Sequence, residues 1–462
     1  MAKSAGGEIP EASREGLLEE VANLVESPTP VLGSFDPDFL SLPREVLVMV
    51  MKKHQRYFPV EDPATGELLP KFVTVANGDI DPDAVRVGNE GVLTARYQDA
   101  RFFYNQDIQT PLEELRPLLA GITFETTLGN MLEKADRVTS LVAPLGAATG
   151  ASAAVLATAT TAARIARADL SSSVVMEFTS LAGTMGEHYA VQEGLPEDVA
   201  RAIFEAALPR SSGDILPTSE AGILVALADR LDSLVGLFAV GCAPSASADP
   251  FGLRRTAYGL VQTLVTSGLD LNLTDAIAAA AAVQPVEVKP EVLREAQAFV
   301  ERRLEQLLVD GGAGVEVVRA VLKQQGSAPA LAARAVGELQ AEVATGGERL
   351  ASVLTAYARP TRIGRGKEGA GDAADLREDI MGEEEAALFK AYQEVAAAVR
   401  AGVGVDEFLN VSQVLVAPTE AFFDKVFVMD EDMDLRKNRL TLLKCVAELP
   451  DGILDLSELP GF

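Results

Sequence analysis

In the stretch GNEGVLTARYQDARFFYNQD, Leu93, Tyr97, Ala100 and Tyr104 fall on one stripe at helical spacing with charged residues opposite. Helical spacing then dominates as far as residue 345. A chain written this way satisfies its backbone inside each helix and must bury apolar stripes against other helices, so the fold class it allows is mostly α. Two low-diversity runs agree: Leu145 to Ala168 is rich in Ala and Thr, and 271 to 284 is rich in Ala, compositions suited to close helix packing.

Strand patterning is confined to the start. GLLEEVANLVE (16–26) and PREVLVMVMKKHQ (Pro43 to Gln55) read as helices, the second with proline in its first turn. RYFPVEDPATGELLPKFVTVANGD reads as a hairpin whose second strand is Lys71 to Ala76. The expected architecture is a mostly α protein with a small α/β N-terminal piece. At 462 residues the chain exceeds one core, which implies two to four domains. Two segments read as linkers, the acidic Gly369 to Glu385 and QQGSAPALAA near 324–333, and they place the last boundary near 346.

Composition excludes several classes. With 48% hydrophobic residues and no apolar run approaching the roughly 20 residues a bilayer requires, no membrane span is expected. The N-terminus lacks the pattern of a secretory signal or a transit peptide. Cys242 and Cys445 stand far apart without a CxxC spacing, so no disulfide framework or cysteine zinc site is expected, and a reducing compartment fits. A formal net charge of -28 opposes nonspecific attraction to a polyanion. Screening over about 8 Å still lets a local basic cluster meet a phosphate.

Four segments, EKADRV (133–138), ARIARADL (163–170), GEHYAVQEGLPEDVARAIFEAALP (186–209) and ILVALADRLD (223–232), resemble the successive motifs of HD-domain phosphohydrolases. That chemistry needs histidines and carboxylates converging on a metal, yet the chain has only His54 and His188. Ala168 stands where the paired histidine belongs; Asp169 and Asp229 persist, and are expected to cap helices or pair with arginines such as Arg230. The expectation is a degenerate HD-like scaffold with no metal site, His188 being a hydrogen-bonded structural residue. No phosphate loop, dinucleotide turn, nucleophile elbow or HExxH helix occurs, so no catalytic residue is assigned.

Three basic clusters remain as candidate RNA contacts. DPFGLRRTAYGL puts Arg254 and Arg255 on the first turn of a helix, with Asp249 as an alternative partner. AYARPTRIGRGK holds Arg359, Arg362, Arg365 and Lys367 with no acid from 355 to 367, and Pro360, Gly364 and Gly366 are read as keeping its backbone open. Arg436, Lys437 and Arg439 follow DEDMD, whose acids offer ion-pair partners. Tyr357 is the stacking candidate; Phe422 and Phe423 read as core.

Several of these stretches together resemble one family, the β subunit of the bacterial-type, two-subunit glycine-tRNA ligase: PREVLVMVMKKHQRYFPV, LPKFVTVANGD, GNEGVLTARYQDARFFYNQD, MGEHYA, ALADRLDSLVGLFAVG, ADPFGLRR and AFFDKVFVMDEDMDLRKNRLTLL, in the family's order. The resemblance implies tRNA recognition by this chain, with no cofactor of its own, while ATP and Mg belong to a separate α-type catalytic part. It implies glycine tRNA and that α part as partners, and neither DNA nor membrane. It divides the chain into a partial N-terminal α/β region (1–110), an HD-like helical domain lacking the metal site (111–262), a helical connector (263–345) and an anticodon-binding helical domain (346–462). The family's β chain is longer at its N-terminus, so this chain is expected to begin partway through. AYARPTRIGRGK resembles the fused plant and algal organellar form, which implies a chloroplast or mitochondrion; a bacterial chain would be cytoplasmic. The rival readings are an HD-type metal phosphohydrolase and a helical interaction protein that no longer binds RNA.

Overall fold

A computed structural model describes residues 1–364 and 370–462. It divides into two compact units, one of Met1–Ala143 with Ala151–Asp229 and the other of Pro144–Gly150 with Arg230–Phe462.

After two short helical turns, Lys3–Ala5 and Glu11–Arg14, the first unit continues with helix α1 (Leu17–Leu24), strand β1 (Pro28–Ser34), helix α2 (Arg44–Met49), and strands β2 (Phe58–Glu61) and β3 (Leu68–Asn77). The strands form one antiparallel sheet in the order β1-β3-β2, with Pro28 opposite Asn77 and Phe58 opposite Val73. The hairpin is the one expected from the alternation; β1 was not expected, because PTPVLGS carries two prolines and a glycine. At the sheet edge alternate N–H groups face outward, so Pro28 and Pro30, on one parity, remove no donor the ladder needs. Gly33 is required by contact: a Cβ there would lie 2.4 Å from Cζ of Phe72, whose buried ring stacks on Tyr57 at 4.7 Å. Leu17 and Val21 of α1 pack with Phe58, Val60 and Val73 of the sheet.

The segment expected as one helix from Pro43 to Gln55 changes character midway. After α2 it continues as a π turn, Val50–His54, and Arg56 then takes a positive φ of 54°. Helix α3 (Pro82–Asp107) starts with Asp81 accepting from two of its first amides, and buries Leu93, Tyr97, Ala100 and Tyr104 as the stripe predicted. Tyr97 donates to the Leu47 carbonyl at 3.2 Å, which ties α3 to α2. At the far end Asp107 accepts from the amides of Ser173 and Val174 and from the Tyr189 hydroxyl.

Five helices carry the HD-like motifs: α4 (Met131–Thr149), α5 (Ala153–Ile165), α6 (Thr184–Gln192), α7 (Glu197–Glu205) and α8 (Glu220–Ala239). Within the first unit α7 packs on both α5 and α6. The carboxylate of Glu205, wholly buried, accepts from the amides and hydroxyls of Thr218 and Ser219 and pairs with Arg201, which anchors the entry to α8.

The second unit continues through α9 (Leu253–Ser267), α10 (Leu273–Ala282), α11 (Pro290–Asp310), α12 (Val315–Gln325) and α13 (Pro329–Ala344), and then α14 (Glu348–Gly364), α15 (Glu383–Ala401), α16 (Val405–Val411), α17 (Val416–Lys425) and α18 (Met433–Ala447). The expected linker at 324–333 is a three-residue turn between α12 and α13: Pro329, buried, opens a new helix in the position where its missing N–H is not needed. The described part of the acidic segment is likewise not a free linker. Gly371 donates to Thr441, Arg377 to the side chain of Asn438, and Lys444 reaches Asp372 at 3.0 Å, so α18 holds it along its length.

Candidate nucleic-acid interface

The place where the HD-like motifs converge is built of cations and carboxylates. Ala168 is fully buried and offers no donor atom. Asp229 on α8 is gripped by Arg167 at 2.7 Å and by Lys134 of α4 at 3.4 Å, and the Lys134 amine also sits 4.8 Å from the centre of the Phe124 ring. A divalent ion placed here would meet two fixed positive charges, so these residues do not suit a metal. Asp169 is 1% exposed and caps α6: Oδ2 accepts from the amides of Gly183 at 2.6 Å and Gly186 at 3.1 Å. Burial pushes its carboxyl up to about 6, against the pull of those amides and of Arg167. His188 lies 2.9 Å from Glu45, and that hydrogen bond holds the Glu45 carboxyl below its usual range.

The basic clusters differ in how far their charge is already committed. In the first, Asp249 accepts from the amides of Leu253 and Arg254 and so caps α9, as the sequence placed the arginines on the first turn. The Arg254 guanidinium stays local, donating to the Ser245 carbonyl and lying 3.8 Å from Asp249. Arg255 is exposed, and no ion pair engages it among the described residues.

The second cluster is not open backbone. Helix α14 runs unbroken through Pro360 to Gly364, burying Leu350, Val353, Tyr357, Pro360 and Gly364 along one face. Gly364 lets α14 touch α18, because a Cβ there would lie 2.6 Å from the Lys444 amide nitrogen. Arg359 and Arg362 are on the exposed face, with the Arg359 guanidinium 5.3 Å from the centre of the Phe423 ring and no carboxylate partner for either among the described residues. Tyr357 corrects the sequence reading: it is 0% exposed, its hydroxyl lies 3.1 Å from that of Ser412, and its ring offers no face to a base. Phe422 is wholly buried, and Phe423 is partly covered beneath Arg359. Arg365 and Lys367 lie outside the described residues.

In the third cluster Arg439 is structural. It pairs with Glu385 at 2.6 Å and Asp430 at 2.7 Å and donates to the Phe427 carbonyl at 2.9 Å, leaving its side chain 12% exposed and no arm for a phosphate. Arg436 donates to the Asp430 carbonyl, whereas Lys437 is exposed. Arg255, Arg359, Arg362 and Lys437 are therefore the exposed candidate cations among the described residues.

The sequence reading passed over Phe427. Val426 ends α17 in extended backbone, Val428 is 9% exposed, and Phe427 between them is 73% exposed. VFV is apolar at all three positions, so no alternation of polarity marks this ring as exposed.

Residues 1–323 match the family model of the glycyl-tRNA synthetase beta subunit, and residues 353–456 match that of the DALR anticodon binding domain. The chloroplastic/mitochondrial glycine–tRNA ligase 2 of Arabidopsis thaliana is 46% identical over 463 residues, covering 100% of this chain and 43% of that protein. The glycine–tRNA ligase beta subunit of Moorella thermoacetica is 39% identical over 470 residues, covering 97% of this chain and 66% of the subunit. The corresponding subunit of Rhodospirillum centenum is 38% identical, with 96% and 64% covered. The chain thus spans less than half of the plant relative and just under two thirds of the bacterial ones.

Proposed function

The chain belongs to the glycyl-tRNA synthetase beta-subunit family, and from that premise we propose that it is the tRNA-recognition part of a glycine-tRNA ligase, with glycine tRNA and an α-type catalytic part as its partners. ATP and Mg would act at the α part, where glycine is activated and joined to the tRNA 3′ end. The observation that carries the reading is the coincidence of two matches in one chain, the β-subunit model over 1–323 and an anticodon-binding model over 353–456.

The charge distribution supports this division of labour. A net charge of -28 makes distant encounter with RNA unfavourable, which suppresses indiscriminate binding. Binding then depends on local cations that escape neutralisation, and Arg359 and Arg362 stand without a carboxylate among the described residues, on a helix inside the anticodon-binding match. Phosphate contacts of this kind fix register, while bases are read by stacking and by hydrogen bonds to their edges.

No described helix is long and apolar enough to cross a membrane. The name of the Arabidopsis relative supports a chloroplast or mitochondrial setting, and the bacterial relatives support the cytoplasm of a bacterium.

The test is binding of the purified chain to glycine tRNA and to an unrelated tRNA across a salt series. Selective binding that weakens with salt is expected. No binding to glycine tRNA at low salt would overturn the proposal.

A further inference from the structure

We propose that Phe427 is the platform on which an unpaired base of the bound RNA stacks. The inference rests on the tRNA-recognition reading and adds to it a residue that no basic cluster includes.

Within the anticodon-binding match, 353–456, the rings differ in exposure. Tyr357, Phe408 and Phe422 are buried, Phe389 and Tyr392 are half-buried against each other, and Phe423 is partly covered beneath Arg359. Phe427, 73% exposed, is the one ring of this domain open to solvent among the described residues. Stacking on an aromatic face is the general means by which proteins hold unpaired bases.

The ring is also firmly presented. The Phe427 carbonyl accepts from Arg439 at 2.9 Å, and Arg439 is itself fixed by Glu385 and Asp430. Arg436 grips the Asp430 carbonyl, and Asp432 caps α18 through the amides of Asp434 and Leu435. The loop between α17 and α18 is thus tied at several points while its ring projects outward. Met429 and Met433, 51% and 67% exposed, widen the apolar surface with polarizable side chains.

Asp430, Glu431, Asp432 and Asp434 follow Phe427 in sequence and repel a phosphate. Asp430 and Asp432 are committed to the loop, and Asp434 stands 3.7 Å from Arg377. Carboxylates do accept from the amino and imino N–H groups on base edges. The surroundings therefore favour a base turned away from its own phosphates.

The chain has no tryptophan, so Phe427→Trp introduces a single indole whose emission reports stacking directly. With the full chain and glycine tRNA, Phe427→Ala should weaken binding roughly 5- to 150-fold. The dependence on salt and the melting temperature should stay as they are, because the lost contact is uncharged and the ring is exposed. Phe427→Trp should retain affinity and lose emission as tRNA is added. Unchanged affinity in Phe427→Ala, or tryptophan emission indifferent to bound tRNA, would overturn the inference while leaving the tRNA-recognition reading intact. Failure of the unaltered chain to bind tRNA at low salt would overturn that reading, and this inference with it.

Discussion

Asp169→Asn offers a prediction whose size follows from one buried carboxyl. Oδ2 of Asp169 accepts from the amides of Gly183 and Gly186, and Oδ1 is buried with no hydrogen-bond partner among the described residues. Asparagine can keep the accepting oxygen and put its nitrogen at the Oδ1 position, so the cap on α6 survives while the charge is removed. Burial raises the folded-state value to about 6 from an ordinary 3.8. A carboxyl raised in this way binds its proton more tightly when folded, so its contribution to stability is fully present below 3.8 and is lost as pH rises through about 6. The whole effect is about 3 kcal/mol, and the part gained between pH 8 and pH 5 is about 1.4 kcal/mol. Urea unfolding followed by far-UV circular dichroism at both pH values, for the unaltered protein and for Asp169→Asn, isolates this group because the other carboxyls titrate alike in both. On acidification the unaltered protein should gain about 1.4 kcal/mol relative to the variant. Stability curves that run parallel from pH 8 to pH 5 would refute the reasoning.

Removing Asp229 as Asp229→Ala leaves the Arg167 and Lys134 charges without the carboxylate that both contact, and should destabilise the protein by about 3–5 kcal/mol in the same assay. Gly364→Ala forces a methyl against the α18 backbone and should cost about 1–3 kcal/mol, seen as a lowered melting temperature. Tyr357→Phe removes the hydroxyl that meets Ser412 and should cost about 1 kcal/mol of stability without altering tRNA affinity. Arg359→Ala with Arg362→Ala should leave the melting temperature near its original value and lower the salt slope of tRNA binding by about 1 to 2, since each lost phosphate contact removes roughly one released counterion.

How much the sequence disclosed depended on whether its periodicity was trusted over its punctuation. The stripe of Leu93, Tyr97, Ala100 and Tyr104 became the buried face of α3 without amendment. Leu350, Val353, Tyr357, Pro360 and Gly364 follow the same three-and-four spacing and form the buried face of α14. There, proline and glycine suggest an open segment, and Tyr357 reads as a stacking candidate. The error is physical: a proline whose ring is buried against neighbouring helices is tolerated mid-helix when that packing outweighs one missing hydrogen bond. Strand β1 escaped for the converse reason, since only its place at the sheet edge makes PTPVLGS acceptable as a strand. The contrast between Arg439 and Arg359 was not legible at all, because Glu385 lies 54 positions from Arg439 in sequence and meets it only through the packing of α15 and α18.

Lys134, Arg167 and Asp229 come from three separated segments, and the attraction of both cations to the one carboxylate joins those segments. A bound ion stabilises in proportion to the logarithm of its free concentration, so a centre held that way strengthens and weakens with supply. Side chains are delivered with the polypeptide at fixed stoichiometry and are not subject to mass action. The junction is therefore complete as soon as the chain has folded, and its strength is independent of how much magnesium or zinc the compartment contains at that moment. Within the first unit, three segments are thus held together by charge that the chain itself carries.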